Sequence, residues 1–296
     1  MKDKPLVSIV TPSYNQGRFI EDTILSVKNQ DYPNIEHIVV DGGSTDNTLD
    51  ILKKYEGTYN MRWISEPDEG QSDAVNKGFR MAKGEIIGWL NSDDVYFTKD
   101  VISYVVEEFE KNPDVDVIYG DCVQINEHNE VLCILKSRKF NYNLLRKICF
   151  IEQPALFARK KIIDEFSLNK DLIFAMDYDL WIRIGKEYNF KYVNRILALD
   201  RQHRGRKTVA KADKVIKESK YVSQSFHTFS IPERTYYIAS LWCDFLTAIP
   251  SIIQLARAKQ NFCVDLKFNR SLIVFRQFNR TLRRTLGHIR EQFKSL

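Results

Sequence analysis

Residues 86–95 read IIGWLNSDDV, an apolar run followed directly by two adjacent aspartates. The apolar run predicts a buried strand, and carboxylates at the end of such a strand reach the crevice where open α/β sheets bind ligands. Hard oxygen ligands there suit Mg²⁺ or Mn²⁺, which in turn hold diphosphates. On its own, an Asp-Asp pair is more often a solvated turn or a helix cap, so the neighbouring sequence has to decide.

The first ninety residues alternate between strand patterns and helix patterns. Short β-branched runs predict strands, and apolar residues at helical spacing between them predict helices, including one from Asp73 to Ala82. This alternation is typical of an α/β fold with a mainly parallel, Rossmann-like sheet flanked by helices. The four predicted strands cover residues 7–11, 37–40, 61–64 and 85–90.

Beyond residue 96 the pattern predicts that the sheet becomes mixed. Helices are expected near residues 101–111 and 178–187, and the chain is predicted to be helical from about residue 210. Charge and composition suggest a main domain over residues 1–230 and a helical C-terminal extension over residues 231–296. The further strands are predicted at residues 115–119, 123–125, 131–135, 155–158 and 196–200.

Length and cysteine usage narrow the class of protein. The chain has 296 residues, of which 44% are hydrophobic, so it can form one large packed domain with an appendage. Its five scattered cysteines form no Cys-x-x-Cys pair, which argues against a disulfide framework and against a zinc site. The N-terminal apolar stretch is too short for a signal-peptide core, so we expect a reducing, cytoplasmic location.

The charge is concentrated at the C-terminal end. Residues 251–296 hold ten Lys and Arg against two acidic residues, whereas the rest of the chain is mildly acidic. Arginines alternate with apolar residues over 257–294, as in a basic amphipathic helix lying on an anionic membrane surface. The alternative is a helical cap packed on the main domain, and nucleic acid ranks well below both. The apolar stretch 238–256 is interrupted by Asp244 and Pro250, which makes it a poor membrane span.

Polar motifs follow the other predicted strands at the same edge of the sheet. A proline-stiffened turn, PSYN (residues 12–15), can stack a nucleobase, and DGGSTD (residues 41–46) can bind a base or ribose while its glycines allow close backbone approach. On its own residues, PSYN is better explained as an ordinary turn, and DGGSTD is equally well explained as a glycine turn with a helix cap. The loop 66–78 enters a helix through Ser72, and its Lys77 either pairs with Asp73 or serves a ligand.

Taken in order, PSYN, DGGSTD, DEGQSDA (residues 68–74) and NSDD (residues 91–94) resemble the motifs of family 2 glycosyltransferases, in particular the bacterial enzymes that build surface polysaccharides. The likeness is densest over residues 6–96 and extends to about residue 208. The resemblance implies a GT-A fold, a nucleotide-diphosphate sugar donor such as a UDP-sugar, a divalent metal (Mn²⁺ or Mg²⁺), and an inverting displacement onto a saccharide or lipid-linked acceptor.

The same resemblance assigns roles in donor binding. Asp93 matches the last aspartate of the family's metal motif, whereas Asn91 occupies its first position, where a neutral amide binds metal more weakly. Lys77 would replace the arginine that the family often has at Val75. The other residues assigned to the donor are Pro12, Tyr14 and Asp41 for the base and ribose, Asp68 beside the base, and Ser92 next to the metal.

The second half of the family pattern assigns the acceptor side. Asp177, the first acidic residue of MDYDLW (residues 176–181), resembles the general base, with Asp179 and Trp181 near the acceptor. The alternative makes Asp177 a helix cap above apolar core residues. His203 and Lys207 lie in a basic segment that suits a loop closing over a diphosphate. A second class remains open, a nucleotide-sugar-binding scaffold without catalysis, which the departures at Asn91 and Val75 would favour.

Overall fold

The computed structural model describes residues 4–207, 212–226, 262–264 and 266. Within these residues nine strands form one sheet, with helices on both faces. The strands are β1 (Val7–Ser13), β2 (Ile35–Asp41), β3 (Met61–Ser65), β4 (Ile86–Trp89), β5 (Val95–Tyr96), β6 (Val117–Asn126), β7 (Val131–Leu135), β8 (Leu156–Arg159) and β9 (Phe190–Gln202).

The helices follow the periodicity of the sequence. Helix α4, for example, buries five apolar residues spaced three or four apart on one face. The helices are α1 (Ile20–Lys28), α2 (Thr48–Tyr55), α3 (Gln71–Met81), α4 (Val101–Lys111), α5 (Tyr142–Leu145), α6 (Lys160–Glu165), α7 (Met176–Gly185) and α8 (Ala212–Phe226), with a short 3₁₀ turn at Gln153–Ala155.

The sheet order is β3-β2-β1-β4-β8-β6-β9-β5, with β7 paired to β6. Strands β1 to β4 are parallel to one another, as the alternating pattern predicts. Strand β8 runs antiparallel to both β4 and β6, so the sheet becomes mixed after residue 96, also as predicted. The carboxyl ends of β1 to β4 therefore meet at one edge, which places the polar motifs together.

Two predicted strands, 115–119 and 123–125, are one strand in the structure. Strand β6 runs from Val117 to Asn126, and its register against β9 shifts on either side of Asp121. Gly120 permits this irregularity, because a Cβ there would lie 2.5 Å from the Arg195 carbonyl oxygen. Asp121 is buried but accepts hydrogen bonds from Lys136 (2.7 Å) and the Tyr192 hydroxyl (2.9 Å), so its polarity marks a bulge and not a turn.

The part of the C-terminal extension that the structure describes packs on the main domain. Phe262 contacts the Phe97 ring, and the Cys263 amide donates to the Phe97 carbonyl at 3.3 Å. Leu266 is buried against the same core. The predicted boundary at residue 230 and most of the predicted basic helix over 257–294 lie outside the described residues. None of the described helices is long and apolar enough to cross a membrane.

Candidate active site

The turn after β1 presents an exposed aromatic side chain at the edge of the sheet. The Tyr14 side chain is 60% exposed, while the turn behind it is tied to the next loop. The Asn15 amide donates to Ser44 Oγ at 2.7 Å, and Asn15 Oδ1 accepts from the Thr45 amide at 2.8 Å. Asn15 has φ 53°, a conformation that asparagine tolerates better than most residues. Tyr14 is thus an open stacking surface on a fixed turn.

Asp41 supports this loop from below. It is fully buried, and its carboxylate accepts from the amides of Gly43 (3.1 Å) and Ser44 (2.8 Å) and from the hydroxyls of Ser44 and Ser65. Three of these donors bond Oδ2 and one bonds Oδ1. Asp41 thus holds the loop, and its contact with a base or ribose stays a prediction.

Two other residues expected to contact the donor are also buried. Pro12 lies within β1, paired with Val40, and the Ser92 side chain is covered. They shape the edge of the sheet without offering surface to a ligand in this conformation. Asp68, by contrast, is only half-buried and lies over Gly42, where a Cβ would come within 2.5 Å of its Oδ2. The structure therefore brings Asp68 and the Asp41 loop together, and their role in holding the base stays a prediction.

Helix α3 begins differently from the prediction. Its N-cap is Gly70, at φ 109°, and Ser72 instead donates from within the first turn to the Leu172 carbonyl at 3.3 Å. The Lys77 ammonium lies 2.8 Å from Glu66 and 3.3 Å from Asp73. Since two carboxylates already balance its charge, the structure favours the pairing role of Lys77 over a role as the free cation of a ligand site.

Asp93 and His203 meet although they are 110 residues apart. Asp93 Oδ2 lies 3.1 Å from His203 Nε2, and the His203 ring packs on Phe19 with centroids 4.5 Å apart. Strand β9 makes this possible by pairing antiparallel with β5, directly after the acidic turn. The sequence predicted both residues for the donor site but not their direct contact. Lys207 is exposed, four residues further along.

Arg201 is a residue that the sequence analysis missed. Only 1% of it is exposed, and its Nε donates to the Asp93 carbonyl at 2.9 Å. Its other nitrogens bond Asn129 and, at 2.8 Å, the Asp22 carboxylate, while the guanidinium lies 5.2 Å from the centre of the Phe19 ring. The backbone that carries Asp93 is thus fixed by a buried cation from β9. An arginine at the end of a strand carries no sequence signal for such a role.

Replacing Arg201 by Met should destabilise the protein by about 3 kcal/mol or more, because Asp22 and the Asp93 carbonyl lose a buried charged donor. Urea unfolding of the variant and of the wild type measures this difference. Arg204→Met removes an exposed arginine three residues away and serves as the control. Equal unfolding midpoints for all three proteins would show that Arg201 does not hold the acidic turn.

Asn91 lies at the centre of a side-chain network. Its Oδ1 accepts from Gln71 Nε2 (2.8 Å) and Trp89 Nε1 (2.9 Å), and its Nδ2 donates to Gln153 Oε1 (2.8 Å) and Asp94 Oδ2 (3.1 Å). Both ends of the amide are therefore used by the protein itself. This arrangement explains the departure from the family motif, because an aspartate here would set its carboxylate against two other oxygens.

Asn91→Asp should consequently lower the free energy of unfolding by about 2–3 kcal/mol without tightening metal binding. Urea unfolding and calorimetric Mn²⁺ titration in the presence of UDP measure the two effects. Asn169→Asp, an exposed asparagine, is the matched control. Tighter Mn²⁺ binding by the Asn91 variant would place residue 91 among the metal ligands and contradict this account.

A buried set of charges lies behind the acidic turn. Burial, followed by the neighbouring carboxylates Asp93 and Asp200, raises the pKa of Asp94 well above its usual range. Burial also opposes ionisation of Asp200, but the Arg206 guanidinium, 2.6 Å away, outweighs it and lowers the pKa of Asp200. Arg206 thus supplies positive charge close to Asp93 and Asp94.

Asp177 lies in the first turn of helix α7 and not at its cap, which is Ala175. Burial raises the pKa of Asp177 to about 6. The Tyr178 amide, which donates to Asp177 Oδ1 at 2.8 Å, has the opposite, smaller effect on this pKa. Glu152 raises this pKa further, and Arg206 lowers it. Since Arg206 acts on both Asp93 and Asp177, the two carboxylates share one electrostatic environment. A pKa near neutrality is typical of general bases.

The other two acceptor-side residues have structural contacts. Trp181 is 2% exposed and packs in the apolar core, so its expected stacking on an acceptor is wrong for this conformation. Asp179 accepts from Arg183 Nε at 2.9 Å, one turn along the same helix. The apolar residues around Trp181 are spaced as on the buried face of a helix, which already indicated a core position. The resemblance to the family motif led to the acceptor assignment instead.

The site therefore combines an open aromatic turn and a carboxylate–imidazole pair with a carboxylate of raised pKa, Asp177, on which Arg206 also acts. Such an arrangement suits group transfer from a nucleotide-diphosphate donor on a GT-A scaffold. A family model, glycosyl transferase family 2, matches residues 8–166. The chain belongs to this family and is a glycosyltransferase.

Named relatives agree with the family. The chain is 30% identical over 192 residues to UDP-Glc:alpha-D-GlcNAc-diphosphoundecaprenol beta-1,3-glucosyltransferase WfgD of Escherichia coli, a match that covers 65% of this chain and 74% of that enzyme. It is 28% identical over 244 residues to the chondroitin synthase of Escherichia coli, with 80% of this chain covered. The match spans only 35% of that longer enzyme.

Solved structures show the same fold at low sequence identity. The mannosyltransferase PcManGT from Pyrobaculum calidifontis, in complex with GDP-Man and Mn²⁺, superposes with a TM-score of 0.60 at 19% identity, covering 87% of this chain and 76% of that one. Staphylococcus aureus TarS 1–349 in complex with UDP-GlcNAc gives a TM-score of 0.57 at 16% identity, covering 82% and 81%. These likenesses confirm the predicted GT-A fold.

Proposed function

We propose that this glycosyltransferase moves a sugar from a UDP-sugar to a saccharide or lipid-linked acceptor with inversion at the anomeric carbon. The observation that carries the proposal is that Arg206 interacts electrostatically both with Asp93, which lies 3.1 Å from His203, and with Asp177. The donor and the acceptor would meet between the Asp93–His203 pair and Asp177.

The donor nucleotide fits the N-terminal part of this edge. The exposed Tyr14 ring offers a face for a pyrimidine, and the half-buried carboxylate of Asp68 can accept from a base N–H. The Asp41 loop places backbone groups beside them. UDP is favoured as the nucleotide because WfgD, the related enzyme above, uses UDP-Glc according to its name.

A divalent metal suits the Asp93–His203 pair. The two side chains, of which 13% and 7% are exposed, offer one carboxylate oxygen and one imidazole nitrogen, 3.1 Å apart. Carboxylate suits Mg²⁺ or Mn²⁺, and imidazole suits transition metals, so the pair favours Mn²⁺. No group of three acidic, His or Cys side chains forms a metal cage in the described part of the chain, and metals of this type are commonly held by one or two side chains plus substrate phosphates. When bound, the metal would stabilise the charge of the departing diphosphate.

The chain's own residues would carry the proton transfer. Asp177, ionised above its raised pKa, accepts the proton of the acceptor hydroxyl as that oxygen attacks the anomeric carbon. The bond between that carbon and the UDP oxygen breaks on the opposite face, which inverts the configuration. Arg206 and the basic residues after β9 would offset the negative charge left on the diphosphate.

The reaction fits the assembly of polysaccharide or lipid-linked sugars on the cytoplasmic face of a membrane. WfgD acts on a diphosphoundecaprenol-linked sugar according to its name, and such acceptors are held at a membrane surface. The basic residues over 257–294 would attract anionic lipid headgroups and keep the enzyme near this acceptor.

Calorimetric titration of the full chain with UDP and with GDP, each with Mn²⁺, Mg²⁺ or EDTA, tests the donor site. We expect UDP to bind more tightly than GDP, and Mn²⁺ to tighten UDP binding more than Mg²⁺ does. Absence of nucleotide binding under all conditions, with the protein folded by circular dichroism, would contradict the proposed function.

A further inference from the structure

The segment that leads into the helix carrying Asp177 is held by a side chain from a distant helix. Glu218 of helix α8 accepts, through its Oε1 atom, from three successive backbone amides: Ile173 (2.7 Å), Phe174 (3.0 Å) and Ala175 (3.3 Å). Ala175, the N-cap of α7, has no side chain that could do this. A remote carboxylate therefore fixes the backbone that leads into α7, where the local sequence offers no side chain to do so.

The backbone at the start of α7 is divided between two carboxylates. The amides of residues 173–175 bond to Glu218, and the Tyr178 amide bonds to Asp177 itself at 2.8 Å. Free amides at a helix start carry partial positive charge, which favours an anion nearby. Without Glu218, three amides would lose their acceptor two residues before Asp177, and the orientation of this first turn would be less restricted.

Helix α8 is itself well anchored. Val222 is buried in the core, and Ser223 Oγ donates to the carbonyls of Arg146 (3.0 Å) and Lys147 (3.1 Å). The Tyr178 hydroxyl also bonds this segment, at the Leu145 carbonyl (2.8 Å). One helix thus holds both the start of α7 and residues 145–147, which precede Cys149 and Glu152 near Asp177.

We propose that Glu218 is a positioning residue for Asp177: by fixing the backbone of residues 173–175, it holds Asp177 in place. This inference rests on the proposed role of Asp177 as the base. The proposal extends the residues that serve the reaction from the loop after β9, which carries His203 and Arg206, into helix α8.

The electrostatic surroundings of Asp177 set the direction of the expected change. The charged groups that act on Asp177 are Glu152, from the segment before β8, which raises its pKa, and Arg206, after β9, which lowers it. Removing the Glu218 charge leaves the positive helix start less compensated, and a looser first turn admits water. Both effects favour the ionised carboxylate, so both lower the pKa of Asp177.

The test is a pH titration of the full chain labelled with ¹³C at aspartate carboxyl groups, with the Asp177 signal assigned by its loss in Asp177→Asn. Wild type should titrate near pH 6, and Glu218→Gln and Glu218→Ala should titrate at lower pH. Asp213→Asn removes an exposed acidic charge from the same helix and should leave the titration unchanged. Amide hydrogen exchange of residues 173–178 should be faster in Glu218→Ala than in wild type. In Glu218→Gln the exchange should be slower than in Glu218→Ala, because the glutamine amide oxygen still accepts from these backbone amides.

Turnover separates this inference from the proposed function. With an active donor and acceptor, Glu218→Ala should lower kcat about tenfold with an unchanged KM for the donor, and Glu218→Gln should recover part of the loss. An Asp177 titration unmoved in both Glu218 variants would overturn the inference, even if the variants were less stable. Full activity of Asp177→Asn would instead overturn the proposed role of the base, whatever the Glu218 variants do.

Discussion

Asp177→Asn should lower kcat by about 10²–10⁴-fold, because the amide cannot accept the proton of the attacking hydroxyl. UDP affinity should change less than about twofold, since the base contacts the acceptor and acts in the transition state. Steady-state kinetics and calorimetric UDP titration measure the two effects. Asp179→Asn, on the same helix but paired with Arg183, is the matched control and should lose far less turnover.

The wild-type pH profile should agree with this role. Because the base must be ionised to act and its pKa is raised to about 6, kcat should fall as the pH drops below about 6. An equal loss of UDP affinity in Asp177→Asn would show that Asp177 binds the donor. Retained turnover would favour the alternative of a nucleotide-binding scaffold, or of a different base.

Asp93→Ala should abolish transfer and weaken UDP binding in Mn²⁺ by about 100-fold or more. Losing a residue that only hydrogen-bonds a metal ligand already costs about 10–100-fold in metal affinity, and losing the ligand itself should cost more. UDP binding in EDTA should be nearly unchanged, since Asp93 acts on the diphosphate through the metal. Calorimetry in both conditions separates the two contributions.

Asp114→Ala, which removes an exposed carboxylate, controls for charge in the Asp93 experiment. His203→Ala should share the phenotype of Asp93→Ala, because the two side chains form one pair. If Asp93→Ala weakened UDP binding equally in Mn²⁺ and in EDTA, Asp93 would be a nucleotide contact and the metal would lie elsewhere.

Much of the fold was predictable from local sequence. Strands β1, β2 and β4 are short apolar runs buried on both faces, and a parallel sheet needs such runs, whereas the edge strand β3 is mostly half-buried. The motifs after these strands meet because parallel strands share one carboxyl edge. Strand β5 was not predicted, since its two residues, Val95 and Tyr96, are too few to show a period.

The site was less predictable because its contacts join distant segments. The pairing of Asp93 with His203 depends on β5 and β9 lying side by side, and no local pattern encodes that register. The partners of Asn91 come from α3 and from the turn at Gln153. For Trp181 the sequence predicted a contact with the acceptor that the structure does not support. Trp181 belongs to the motif, but the apolar residues around it are spaced as on a buried helix face.

The most direct test of the central claim is the anomeric configuration of the product. The full chain, with Mn²⁺, is incubated with a panel of α-linked UDP-sugars and with saccharide and lipid-linked diphosphate-sugar acceptors, and ¹H NMR reads the new anomeric proton. We predict transfer from at least one donor, with a β-linked product. Transfer with an α-linked product, or neither transfer nor donor hydrolysis by folded protein, would contradict the account.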